Sequence, residues 1–108
     1  MLSEVLLTGD ALRDLQEIYD YIALHDTPRK ADYVLGRIEE AFSKLSELPK
    51  RGVYPKELLE LGIREYREIL FKPYRIIYRI MDKNVYFFLI VDGRRDMQSL
   101  LQRRLLDA

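Results

Sequence analysis

The chain of 108 residues has no cysteine and a single histidine. A disulfide framework, a thiolate metal site and an imidazole-rich metal site are all excluded by that scarcity. No stretch approaches the roughly 18 consecutive apolar residues of a membrane span. The opening Met1-Leu2-Ser3-Glu4 lacks the basic start of a secretory signal. A cytoplasmic protein with no membrane partner is therefore expected. Internal repeats, low-complexity runs, a phosphate loop and a nucleotide fingerprint are also missing, and the carboxylates show no metal spacing, so no metal, no cofactor and no small-molecule substrate is expected. Net charge is absent as well, with 18 Lys/Arg against 18 Asp/Glu. A domain that grips a large nucleic-acid surface usually carries a basic total, so extensive RNA binding is disfavoured.

What is present is 48% apolar and 33% charged residues in a length that holds one core, which predicts a single domain over 1–108. The charge is unevenly spread: residues 1 to 60 carry 8 Lys/Arg against 12 Asp/Glu, whereas residues 61 to 108 carry 10 against 6. A local anionic partner on the C-terminal half fits that asymmetry.

The apolar pattern predicts an α+β fold. Ser3 to Leu7 reads as a short edge strand. Asp10 is placed to cap a helix whose inner face is Ala11, Leu15, Ile18 and Ile22. Thr27 as N-cap and Pro28 as first residue start a second helix, with Val34, Leu35, Ile38, Ala41, Phe42, Leu45 and Leu48 at helical spacing. So short a turn between them predicts an antiparallel helical hairpin packed on a sheet. Pro49-Lys50-Arg51-Gly52 ends it, and Pro55 to Gly62 is a connecting loop with room for one helical turn at Lys56 to Leu61.

Three strands follow. In the run GIREYREILF, Arg64, Tyr66, Glu68 and Leu70 share one face; in YRIIYRIM, Tyr74, Ile76, Tyr78 and Ile80 face one side and Arg75, Ile77, Arg79 and Met81 the other. Lys72-Pro73 joins them as an antiparallel hairpin. Val85 to Val91 is apolar on both faces, which predicts a central strand covered above and below. The loop Asp92-Gly93-Arg94-Arg95-Asp96 then leads into a short amphipathic helix of Met97, Leu100, Leu101 and Leu105.

The candidate chemistry lies in the arginines. Arg75, Arg79, Arg94 and Arg95 together suit an anion-binding, target-binding surface, with Arg94 and Arg95 beside a helix N-terminus whose N–H groups favour an anion. Each has a plainer reading. Arg75 and Arg79 can pair with Glu65 and Glu68 across the hairpin; Gly93 can serve an unusual backbone angle and Asp96 a helix cap. His25, in the interhelical turn, reads as a solvated cap residue, and the eight tyrosines as core-edge residues with a hydroxyl reaching water or backbone.

The blocks YREILFKPYRIIYRI and VDGRRDMQSLL, after a helical hairpin ending in LPKRG, resemble the RelE/ParE superfamily of bacterial type II toxins, the plasmid stabilisation toxins, across essentially the whole chain. The resemblance implies an N-terminal strand, a helical hairpin, a three-stranded antiparallel meander and a short C-terminal helix. It also implies a cytoplasmic toxin neutralised by a cognate antitoxin whose C-terminal segment wraps it. An apolar groove at Phe88 and Ile90, flanked by Leu100 and Leu101, is the expected antitoxin contact.

Two chemistries divide that superfamily. RelE-like members are ribosome-dependent endoribonucleases that cut mRNA, a reaction that needs cations on the phosphate and a group to move protons. Arg75 matches the position of a phosphate-binding arginine in them and Arg94 or Arg95 falls near a second, and these are the catalytic candidates under that reading. Where those nucleases often carry a histidine before the paired arginines, this chain has Gly93, and where they often carry a tyrosine at the start of the last helix it has Gln98. Neither can act as an acid or base near neutral pH, and arginine stays protonated. Both departures resemble the ParE branch, which inhibits DNA gyrase by binding, with no catalysis of its own. A non-toxic, antitoxin-binding family member is the third reading.

Overall fold

A computed structural model describes residues 2–107. The strand β1 (Val5–Leu7) leads into helix α1 (Gly9–His25), followed by α2 (Pro28–Glu47), a 3-10 turn at Pro49–Arg51, the single turn α3 (Lys56–Leu59), the strands β2 (Tyr66–Phe71), β3 (Tyr74–Met81) and β4 (Asn84–Asp92), and the helix α4 (Met97–Leu101), which runs on into a wider π-type turn, Gln102–Leu106. The sheet order is β1-β4-β3-β2, with β1 parallel to β4 and the other neighbours antiparallel.

Capping fixes where the helices begin. Thr27 accepts from the Lys30 N–H at 3.0 Å with Pro28 behind it, as the sequence predicts. The first helix differs: its cap is Thr8, not Asp10, because Thr8 is extended in front of the free N–H of Ala11 and accepts from it at 3.2 Å. The same hydroxyl donates to the Phe87 carbonyl at 2.8 Å, tying the helix start to the central strand. Asp10 sits in the first turn, paired with Arg13 and favourable to the helix dipole.

Strand alternation sorts the apolar residues into two cores. Ile76, Tyr78, Val85, Phe87 and Ile90 pack under the helical hairpin with Ala11, Ile22, Ala31, Val34, Ile38 and Leu45. On the opposite face, Tyr66, Ile77, Leu89 and Val91 are covered by Leu58 of α3 and by Met97, Leu100 and Leu101 of α4. The central strand is thus buried on both sides by the chain itself. A fully buried side chain such as Phe87 contributes on the order of 1.5–3 kcal/mol. Its register shifts once: Ile77 faces Leu89 while Tyr78 faces Phe87, so Phe88 is the extra residue of a β-bulge. The bulge turns Ile90 toward the helices and leaves Phe88 on the other face, edge-on to Tyr66 at 5.6 Å.

Candidate functional site

β3 carries Arg75 on the face away from the helical hairpin, β2 brings Glu68 alongside it, and α3 hangs Glu57 over both. The guanidinium Nε donates to Glu68 Oε1 at 2.6 Å and Nη2 to Glu68 Oε2 at 3.0 Å. Nη1 and Nη2 each donate to a Glu57 carboxylate oxygen at 2.8 Å. Such two-pronged, charge-assisted pairs are the strong ones. The three side chains are only 12%, 10% and 15% exposed for Arg75, Glu68 and Glu57, so water screens them little. The Arg75 hydrogen bonds hold the Glu57 carboxyl below the usual glutamate range, and the Glu57 carboxylate pushes the Arg75 guanidinium above its own.

Arg75 therefore does not offer a free cation to a phosphate. One guanidinium faces two carboxylates, and the cluster has an excess of negative charge. The cross-strand partner Glu68 is one that the alternation allows; Glu65 takes no part, and Glu57 arrives from the loop that precedes the sheet. Gly93 lies against this cluster. A Cβ there would stand 2.7 and 2.8 Å from Cδ and Cγ of Arg75 and 3.3 Å from the Pro73 carbonyl oxygen. The residue is glycine because backbone must approach the arginine stem, not because of an unusual backbone angle, and its N–H donates to Pro73 O at 2.8 Å.

The other arginines separate by exposure. Arg79 lies opposite Tyr66 with its guanidinium 5.7 Å from the ring centroid, so it stacks there and makes no ion pair with Glu65 or Glu68. Arg94 is 80% exposed; its Nη2 meets Asp92 Oδ2 at 2.5 Å, and these hydrogen bonds lower the Asp92 carboxyl. Arg95 is exposed and makes no side-chain ion pair among the described residues. The helix start beside them is occupied: Asp96 caps α4, accepting from Ser99 N at 3.3 Å and Ser99 Oγ at 2.8 Å. The exposed guanidinium groups of Arg94 and Arg95 are what this loop offers to an anion.

The expected antitoxin groove is closed in this chain. Ile90 is 1%, Leu100 4% and Leu101 1% exposed, because α1 covers the first and the other two plug the second core. Phe88 alone of the four stays half-exposed, on the bulge.

Residues 5–97 match the model of the ParE toxin of the type II toxin-antitoxin system, parDE. The chain belongs to this family. The toxin ParE3 of Caulobacter vibrioides is 26% identical over 103 residues, covering 95% of this chain and 99% of that one. Among solved structures, a chain of the chromosomal ParDE system of P. aeruginosa superposes with a TM-score of 0.69 at 20% identity, covering 84% of this chain and 96% of that chain. A chain of the toxin-antitoxin complex RelBE2 of Mycobacterium tuberculosis gives 0.57 at 26% identity, covering 85% and 99%. The α+β architecture read from the strands and helices is the architecture of these toxins.

One further charged device in this ParE-family chain has no signal in the sequence. β1 pairs with β4 only at Val85 to Phe87, which leaves the next stretch of that strand without a strand partner on the edge away from β3. Asp14 and Arg104 fill the gap. Asp14 Oδ2 accepts from Ile90 N at 3.1 Å, Arg104 Nη2 donates to Phe88 O at 3.1 Å, and the two side chains pair at 2.8 and 3.1 Å. Two backbone groups of that edge, Ile90 N and Phe88 O, are thereby satisfied by side chains from α1 and the C-terminal turn.

Proposed function

We propose that this ParE-family chain is a cytoplasmic toxin that arrests growth by binding DNA gyrase, without catalysis of its own, and that a cognate antitoxin neutralises it. The observation that carries the reading is the state of Arg75. The strand arginine that a ribonuclease would place on the scissile phosphate is held by Glu57 and Glu68 with 12% of its side chain exposed. The exposed Arg94 and Arg95 have Gly93 and Gln98 as neighbours where an acid or base would be needed. Tyr74, a phenol whose charge couples to Arg94, is pushed above its usual range, first by burial, so it is a poor base at neutral pH. Arg94 and Arg95 are the target contacts in this reading, with Arg79 at the margin, and Arg75 positions their loop by packing against Gly93.

The antitoxin partner is supported by the relatives, since the ParDE and RelBE2 structures are of toxin-antitoxin systems. Purified protein incubated with gyrase and supercoiled DNA should block supercoiling or trap cleaved DNA, and programmed ribosomes should keep their mRNA intact. Cut transcripts with unaffected gyrase would replace this reading with the RelE-like one. Inertness in both assays, with normal growth on expression, would mark a non-toxic antitoxin-binding member.

A further inference from the structure

At the end of the molecule where the α1–α2 turn meets the β2–β3 turn lies a cleft of about 410 Å³, lined by Tyr21, His25, Tyr33, Phe71 and Tyr74 together with Asp26, Lys30 and Lys72. Neither the arginine cluster nor the family match accounts for it. Five of its eleven lining residues carry an aromatic ring, and of these Phe71 and Tyr74 also pack against the first core. Tyr21 and Tyr33 keep 65% and 54% of their surface exposed, so these rings are not filling a core. The Tyr21 and His25 ring centroids sit 4.3 Å apart with the rings tilted by 50°, so the two pack into one aromatic wall.

The cations around the rings differ from Arg75. Lys30 and Lys72 are exposed and make no ion pair among the described residues. The Lys30 ammonium stands 5.8 Å from the Tyr33 ring centroid, and the Arg37 guanidinium 6.0 Å from Tyr33 and 5.4 Å from Phe71. Aromatic faces interleaved with unpaired ammonium groups are what a base with its phosphate requires: the rings stack the base and the cations hold the phosphate. Asp26 adds an acceptor suited to an exocyclic amino group or a ribose hydroxyl. The volume suits one small ligand, and a chain with zero net charge suits one phosphate better than a long tract.

We propose that this cleft binds a single nucleotide unit, its base stacked on Tyr21, Tyr33 and Tyr74 and its phosphate on Lys30 and Lys72. The unit is either a free mononucleotide or one residue of a single strand. An acidic peptide would use the lysines but leave the rings idle, and the number of rings favours the nucleotide.

The test is titration of the 15N-labelled protein with AMP, with an eight-residue oligoadenylate and with an eight-residue polyglutamate. Saturable shifts confined to the two turns are expected with a nucleotide probe. Equal response to AMP and the oligomer identifies the free nucleotide, whereas response to the oligomer alone identifies the strand, with a salt slope of about −0.7 for the one phosphate neutralised. Tyr21→Ala and Tyr33→Ala should each weaken binding about tenfold, and Lys30→Glu with Lys72→Glu should abolish it. Lys44→Glu, at the far end of α2, should leave it unchanged. All these side chains are exposed, and circular dichroism of each variant checks that it folds. No saturable shift with AMP or oligomer at millimolar concentration, equal binding of polyglutamate, or indifference to both tyrosine changes would each overturn the proposal.

Discussion

Arg75 and Arg94 stand 19 positions apart in the same basic half of the chain, and both donate to carboxylates, yet they belong to different parts of the molecule's physics. Arg75 is 12% exposed and saturated by two glutamates from separate elements, while Arg94 is 80% exposed and leans on an aspartate two residues away. Burial decides which of them is available. Water competes for Arg94 at every moment, so an incoming anion replaces solvent and a weak local pair. An anion approaching Arg75 would have to displace carboxylates that would then be left buried without a counter-charge.

The sharpest way to break the comparison is to delete each arginine. Arg75→Ala strands Glu57 and Glu68, and should lower the unfolding free energy by about 3–5 kcal/mol in urea denaturation. Arg94→Ala should leave the urea midpoint where it is. Equal effects would show that the Arg75 cluster is not the buried pair described above. Next in size is Gly93→Ala, whose methyl would collide with a stem that its carboxylates hold in place; a loss of about 1–3 kcal/mol is expected. It should shrink in an Arg75→Ala background, because the two closest atoms are then gone and only the Pro73 carbonyl oxygen at 3.3 Å remains.

Acid offers a milder perturbation of the same cluster. The folded-state pKa of Glu57 is depressed, chiefly by the Arg75 hydrogen bonds. Its contribution to stability is therefore present above the ordinary glutamate value of about 4.3 and is lost as the pH falls below that, through the folded pKa. Urea midpoints measured across that range should fall more steeply for the natural chain than for Glu57→Gln. The smallest structural effect is expected from the double change Arg94→Ala and Arg95→Ala, with stability unchanged and, on the proposed function, gyrase inhibition reduced at least about tenfold. Full inhibition by that variant would move the target contact elsewhere on the surface.

Much of the fold is legible in the residues. The strand faces of β3, the Thr27-Pro28 start of α2, the Asp96 cap and the doubly covered β4 all follow from local patterns, each within a few residues of the next. The candidate site is less legible. Glu57 looks like any loop carboxylate, the Thr8 cap was two residues ahead of the expected Asp10, and the bulge at Phe88 reverses which face of β4 Ile90 occupies. Asp14 and Arg104 are separated by 90 positions and share no pattern at all.

The amino-acid order alone determined the element types, the two-sided burial of the central strand and the membership of a toxin family. The first two depend on periodicities and caps that operate within one or two turns of chain, and the third on the motifs matched along residues 5–97. Only the folded arrangement decided which charges are spent internally. An ion pair depends on distance and desolvation, and those are set by where a loop such as the one bearing Glu57 comes to rest.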